Sequence, residues 1–212
     1  MPRPLYRTIV YVDGFNFYYG EVRGTPWKWL DPAALFQKVR GPQNNLVKVK
    51  YFTARVQPSP NDPNVNIRQD VYMRALQAHC PLIELHYGHF LRHRIWVEHA
   101  NPRPHSVEVW KNEEKGSDVN LALHVLNDAW RNAYDCAVIV SNDSDLAESS
   151  RLVKAQHKKL IGLVTPGAPT RKTSRQLSQH ADFVKPIRAW MLKASQLPNP
   201  IPGTTIHKPA NW

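Results

Sequence analysis

Short apolar runs alternate along the chain with segments whose apolar residues recur at helical spacing. These runs, several of them rich in β-branched residues, predict strands at residues 8–12, 46–56, 82–85, 107–110, 137–140, 160–164 and 183–184. The helical spacing predicts helices beginning near Asp31, at Asn64, at Ser117 or Asp118, at Asp145, at Arg171 and at Ile187. This order of elements indicates one α/β domain.

The stretch at residues 137–148 is the main candidate for a functional site. An apolar strand stops at the polar turn 141–144, and a helix with Leu146 and Val153 on one side begins at Asp145. In an open parallel sheet, ligands bind beyond the carboxyl ends of the strands, where Asp143 and Asp145 would lie. Close carboxylates repel each other unless a cation such as Mg²⁺ or Mn²⁺ joins them. The alternative is a capping box of Asp145 with Glu148.

Two further acids occupy comparable positions. Asp13 directly follows the first strand, Gly14 permits a sharp turn, and Asn16 either contacts a phosphate or orients Asp13. Asp118 opens an amphipathic helix after Lys115 and Gly116. Local explanations exist for both acids, since Asp bonds backbone amides in turns and complements the helix dipole in a first turn.

The segment at residues 86–98 is basic and aromatic. Its pattern favours a β-hairpin or extended arm at about 86–110, with Arg92, His93 and Arg94 facing a phosphate backbone. His86, His89, His93 and Cys80 lack the tight doublets typical of a structural zinc site.

Composition narrows the class of protein. The 212 residues include 28 Lys and Arg against 17 Asp and Glu, which gives a formal charge of +11 and favours polyanionic partners such as nucleic acid. No apolar run approaches a membrane span, and the N-terminus has no signal-peptide pattern. Two cysteines suit buried thiols in a reducing cytoplasm, and we expect a cytoplasmic protein without a membrane partner. Unpaired strand edges make a homodimer conceivable.

Three motifs follow one another along the chain: a strand with Asp-Gly-x-Asn, then Lys-Gly-Ser-Asp-Val-Asn-Leu-Ala, then Ser-Asn-Asp-Ser-Asp-Leu. In this order they resemble the NYN family of PIN-like nucleases, and more narrowly the small bacterial DUF88 or LabA-like proteins. The resemblance implies an α/β, Rossmann-like three-layer sandwich, with a mostly parallel sheet of about five strands. It also implies a domain at 1–194 with a Pro-rich extension at 195–212, whose ending is similar to that expected in this group.

The activity implied by the resemblance is metal-dependent hydrolysis of RNA. Catalytic and metal-binding roles fall to Asp13, Asp118, Asp143 and Asp145 around Mg²⁺ or Mn²⁺, with Asp13 and Asp143 as direct ligands. The expected substrate-binding residues are Asn16, Arg92, Arg94, Lys115, Ser141, Asn142, Arg171, Lys172 and Arg175.

One departure from the family pattern stands out. Many relatives carry a further acid six residues after the position of Asp118, where this chain has His124. A one-metal or weakly loaded site follows, and a module that binds RNA or a nucleotide without cutting it is the main alternative. A more remote alternative is an oxidoreductase, because some NYN relatives are described as hydroxylases. No P-loop or G-x-G-x-x-G sequence supports a nucleotide cofactor.

Overall fold

The structure is a computed structural model that describes residues 5–98, 106–167, 170–210 and 212. Its centre is a six-stranded sheet in which every neighbouring pair of strands is parallel. Along the sheet the strands follow the order β3-β2-β1-β6-β7-β8, and a separate two-stranded sheet contains β4 and β5. The predicted α/β class is confirmed, with one strand more than the expected five.

The strands are β1 (Tyr6–Asp13), β2 (Asn44–Thr53), β3 (Ile83–Tyr87), β4 (His89–Glu98), β5 (Ser106–Lys115), β6 (Cys136–Val140), β7 (Leu160–Val164) and β8 (Phe183–Lys185). The helices are α1 (Gly14–Phe17), α2 (Pro32–Val39), α3 (Val65–His79), α4 (Ser117–Trp130), α5 (Ala147–Leu152), α6 (Arg175–Ser178) and α7 (Ala189–Lys193). Single π-helical turns extend α1 and α5, over Tyr18–Val22 and Val153–His157 respectively.

The two faces of the sheet carry separate apolar clusters. Alternate residues of β1 point to opposite faces, so that Val10 and Val12 pack with α2 and α3 whereas Ile9 and Tyr11 pack with α4. Strand β6 is buried along its whole length, as expected of a strand covered on both faces. Helices therefore cover both faces of the sheet in a three-layer arrangement.

A β-hairpin is present in the basic aromatic segment. Strands β4 and β5 pair antiparallel from His89 opposite Lys115 to Glu98 opposite Ser106. Its connection, residues 99–105, lies outside the described residues, and most of the hairpin side chains are exposed. At the base of the hairpin, the ring of Phe90 contacts that of Phe15, with the ring centroids 5.5 Å apart. The hairpin thus begins beside the turn that follows β1.

Two helix starts differ from the prediction. Asp145 and Glu148 form no capping box: Asp143 accepts the Asp145 amide at 3.1 Å, and Glu148 binds Arg151 instead. The basic helix begins at Arg175 rather than Arg171, because the Asn142 side chain binds the Lys172 carbonyl and the Ser174 amide. These bonds hold the segment before Arg175 in a non-helical conformation.

The segment after α7 packs on the domain. The Leu197 amide donates to the Trp29 carbonyl, and the Trp29 indole donates to the Pro198 carbonyl at 3.0 Å. Leu197 and Ile201 are buried in the cluster on the α2 and α3 side. Trp212 packs edge-on against Trp29 and Tyr72. The division into a domain and an extension after residue 194 stays a prediction.

Within the described part of the chain, no helix combines the length and the apolar character that crossing a membrane requires.

Candidate metal centre

Three carboxylates converge beyond the carboxyl end of β6. Asp118 lies in the first turn of α4, and Asp143 and Asp145 belong to the turn that follows β6. One oxygen from each of the three lies within 4.8 Å of the others. Residues 25 positions apart in the chain thus form one acidic group, as the order of the motifs predicts.

The backbone around each acid explains its position. Asp143 caps the 3₁₀ turn Ser144–Leu146, in which Asp145 lies. Gly116 precedes α4 with φ of 91°, a left-handed conformation that glycine adopts at little cost, and it turns the chain from β5 into the helix. The loop after β6 and the start of α4 therefore bring their acids to the same edge of the sheet.

Asp13 adjoins this group through a serine. It is the last residue of β1, and its two oxygens accept the Asn16 amide at 3.0 Å and the Ser141 hydroxyl at 2.9 Å. The same Ser141 oxygen accepts the Asp143 amide at 3.1 Å. Asp13 is therefore joined by hydrogen bonds to the turn that carries Asp143, outside the group of three converging oxygens.

Burial raises the pKa of the Asp13 carboxyl above its usual value, and the nearby charges of Asp143 and Glu114 add to the shift. The hydrogen bonds from Asn16 and Ser141 act in the opposite direction. A carboxylate held in such surroundings gains from a neighbouring cation, which would offset both the burial and the repulsion.

The three converging acids fit a hard divalent cation. Among the residues that the structure describes, none of the three forms an ion pair with a Lys, Arg or His side chain. Asp118 and Asp143 each engage one oxygen with a backbone amide. Carboxylate oxygens are the ligands that Mg²⁺ uses, together with water molecules. The arrangement is thus a carboxylate group that could hold a metal ion.

The predicted substrate-binding residues lie in three places: beside the acids, in the basic segment at residues 171–175, and on the hairpin. Asn16 and Asn142 lie beside the acids, where the Asn142 amide donates to the Asn16 side chain at 3.3 Å. The Lys172 carbonyl binds Asn142, which places the segment with Arg171 and Arg175 next to the turn after β6.

The other basic residues lie on or beside the hairpin. Lys115 is exposed and bonds Glu113 at 2.8 Å. The guanidinium groups of Arg92 and Arg94 lie 4.6 and 5.8 Å from the centroid of the Trp110 ring. The structure therefore does not bring the hairpin arginines into contact with the carboxylates.

Glu114 is a site residue that the sequence analysis missed. Its carboxylate accepts the Ser117 amide at 3.0 Å, and its charge contributes to the raised pKa of Asp13. The signal was present, because an acid three residues before a predicted helix start is well placed to accept a first-turn amide.

His124 belongs to a separate polar cluster between α4 and the sheet. Its Nδ1 lies 3.2 Å from the Lys50 ammonium, and its ring lies 4.1 Å from that of His86. Lys50 is buried and forms an ion pair with Asp128 at 2.7 Å. Position 124 therefore faces a cation and another histidine, outside the group of three acids.

One known protein family matches this chain. The family model for the NYN domain matches residues 7–188, which is most of the chain. This chain belongs to the NYN domain family. The matched region contains the six strands of the central sheet, apart from Tyr6 at the start of β1. It also contains Asp13, Asp118, Asp143 and Asp145.

Two individual proteins are similar to this NYN domain. The 6-hydroxy-3-succinoylpyridine 3-monooxygenase HspA of Pseudomonas putida is 35% identical over an alignment of 235 positions that spans 97% of this chain and 75% of that protein. A protein of unknown function from Vibrio parahaemolyticus has a TM-score of 0.54 at 18% identity, covering 89% of this chain and 97% of that one. The second likeness supports the α/β fold.

Proposed function

We propose that this NYN domain hydrolyses phosphodiester bonds of RNA with the help of Mg²⁺ or Mn²⁺. The observation that carries the proposal is the convergence of Asp118, Asp143 and Asp145 within 4.8 Å, with no basic side chain paired to them among the described residues. The family match and the charge of +11 add support, because nuclease-like domains act on polyanions.

The residues have distinct roles in this proposal. Asp118, Asp143 and Asp145 would hold the cation, which when bound supplies an activated water and neutralises charge on the phosphate. Asp13 orients the turn through Ser141 and adds negative charge beside the group. The basic segment of Arg171, Lys172 and Arg175 holds the RNA backbone, which gives affinity with little sequence preference.

The test is cleavage of end-labelled single-stranded RNA and the equivalent DNA in Mn²⁺, in Mg²⁺ and in EDTA. We expect cleavage of RNA that requires metal and falls at least about a hundredfold in Asp143→Asn. Glu148→Gln is the matched control, because Glu148 is an exposed acid close to Asp145 that binds Arg151. Equal cleavage by the wild type and Asp143→Asn would reveal a contaminating nuclease. Binding without cleavage, retained in EDTA, would favour the non-catalytic RNA-binding module.

The second candidate function is oxidation of an aromatic ring, which the name of the Pseudomonas putida relative favours. A monooxygenase puts one atom of O₂ into the ring and reduces the other to water, so an electron donor is required. We would incubate the purified protein with 6-hydroxy-3-succinoylpyridine, NADH and flavin, and measure coupled NADH oxidation and hydroxylated product. Product formation without RNA cleavage would replace the first proposal with this one.

A further inference from the structure

A pocket of about 290 Å³ lies on the opposite side of the sheet from α4. It is bounded by the turn after β1, the end of β2, helix α3 and Trp212. Gly14 links it to the carboxylate region, since this residue follows Asp13 and lines the pocket. A Cβ at position 14 would approach the Tyr51 ring to 2.6 Å, so glycine is required for this contact.

The walls of the pocket are largely aromatic. Phe15, Tyr18 and Tyr51 line the pocket together with Tyr72 and Trp212, which pack edge-on with 5.1 Å between their ring centroids. Aromatic side chains favour a ligand with a planar ring, because bases and similar flat rings stack on them. The volume is at the lower end of the ~300–1,000 Å³ typical of small-molecule sites. It suits one ring with a short substituent.

The charged groups of the lining favour an anion. Lys28 and Arg68 are cationic, whereas Asp62 is the one acid among the lining residues that the structure describes, so one positive charge is left over. Arg68 binds Asp62 through a terminal nitrogen. Its Nε atom is buried and has no hydrogen-bond partner within the described part of the chain. A buried donor without a partner is costly, so the Arg68 guanidinium has hydrogen-bonding capacity that Asp62 does not use.

We propose that this pocket binds one planar heteroaromatic ring that carries a negatively charged group. The ring lies among Phe15, Tyr18 and Tyr51, and the anion binds at Arg68 and Lys28. Two kinds of ligand combine a planar ring with a negative charge: a nucleotide, through its base and phosphate, and a free aromatic acid. The proposal goes beyond the RNA hydrolysis proposed above and does not require it.

The test is isothermal titration calorimetry in EDTA with two anionic probes, uridine 5′-monophosphate and 6-hydroxy-3-succinoylpyridine. Uridine and pyridine-3-carboxamide serve as uncharged counterparts. We expect one of the two anions to bind, and its affinity to fall about tenfold or more in Arg68→Gln, since this variant removes a charged hydrogen-bond donor to the anion. The probe that binds identifies the source.

Arg74→Gln is the matched control, because Arg74 lies on the same helix, pairs with Asp70 and is outside the pocket lining. Lys28→Gln is the second variant should Arg68→Gln fail to fold, and it should also weaken binding. Asp143→Asn should leave binding unchanged, which separates this pocket from the carboxylate site. Binding of neither anion, or an equal loss in Arg68→Gln and Arg74→Gln, would overturn the proposal.

Discussion

Single side chains connect the acids of the candidate site, and Ser141 shows this most directly. Its buried hydroxyl donates to Asp13 and accepts the Asp143 amide. Removing the hydroxyl leaves an Asp13 oxygen without its donor and releases the turn that carries Asp143. Replacing a residue that orients a metal ligand in this way commonly lowers the metal affinity by about 10–100-fold.

We therefore expect Ser141→Ala to weaken Mn²⁺ binding about 10–100-fold while the domain stays folded. Electron paramagnetic resonance of free Mn²⁺ measures the affinity, and circular dichroism checks the fold. Ser178→Ala is the control, since among the described residues the Ser178 hydroxyl bonds only its own helix, at the Arg175 carbonyl. Unchanged Mn²⁺ affinity in Ser141→Ala would refute the role of this serine.

His124 gives a prediction about pH. Burial and the neighbouring Lys50 lower the pKa of His124, and burial and His124 lower that of His86. A histidine whose pKa is lowered on folding binds protons better in the unfolded chain. The domain therefore loses stability as the pH falls from above the ordinary histidine pKa of about 6.5 through the lowered values.

Replacing His124 with Gln removes part of this loss. We expect the melting temperature of His124→Gln to fall less than that of the wild type between pH 7.5 and pH 5, as measured by differential scanning calorimetry. A gap of a few degrees is expected, since about 1 kcal/mol corresponds to roughly 2–4 °C at this chain length. His207→Gln, at an exposed histidine, should follow the wild type. Parallel curves for His124→Gln and the wild type would contradict the prediction.

At the scale of elements, the hydrophobic pattern correctly predicted those strands and helices whose position does not depend on contacts with other parts of the chain. The buried strand β6 and the helices α3 and α4 are found where the pattern predicts them. Local signals failed where another side chain binds the same backbone groups. Asp145 and Glu148 matched a capping box, but Asp143 takes the Asp145 amide. Residues 171–174 are held out of the helix by Asn142, about 30 positions earlier, and no local propensity reports such a contact.

The hairpin of β4 and β5 has its own test. Arg92 and Arg94 are exposed and lie over the Trp110 ring, where Arg94 also pairs with Glu108 at 3.4 Å. Exposed guanidinium groups of this kind commonly contact phosphates. If both contact RNA, the double variant Arg92→Gln/Arg94→Gln should bind single-stranded RNA more weakly. The slope of log affinity against log salt should fall by up to ~1.4, since each phosphate contact contributes about 0.7.

Fluorescence anisotropy at several salt concentrations measures this slope. Arg55→Gln/Arg74→Gln removes the same charge elsewhere, since both arginines pair with Asp70. If the two double variants lost the same slope, net charge alone would explain RNA binding, and the hairpin would have no specific role.

At the scale of the whole molecule, the order of motifs predicted that Asp118 and Asp143 meet. Helix α4 leads back into β6, so the start of this helix and the turn after the strand lie at the same edge of the sheet. The motifs did not predict that Ser141 joins Asp13 to the turn that carries Asp143. They also did not predict the aromatic pocket on the opposite side of the sheet. The pocket brings together residues as distant as Phe15, Arg68 and Trp212. Its formation depends on how the segment after α7 packs, which composition rich in proline did not indicate.

Trp212 tests this last connection. It contacts Trp29 and Tyr72 and also lines the pocket, so Trp212→Ala removes two aromatic contacts worth about 1–3 kcal/mol together. We expect a lower melting temperature and, well below that temperature, weaker calorimetric binding of the anion that the pocket accepts. Asp143-dependent RNA cleavage should persist, because the acids lie on the α4 side. Trp190→Ala, at an exposed tryptophan outside the pocket, should change neither stability nor binding. Unaltered anion binding in Trp212→Ala would show that the segment after α7 does not form part of the ligand site.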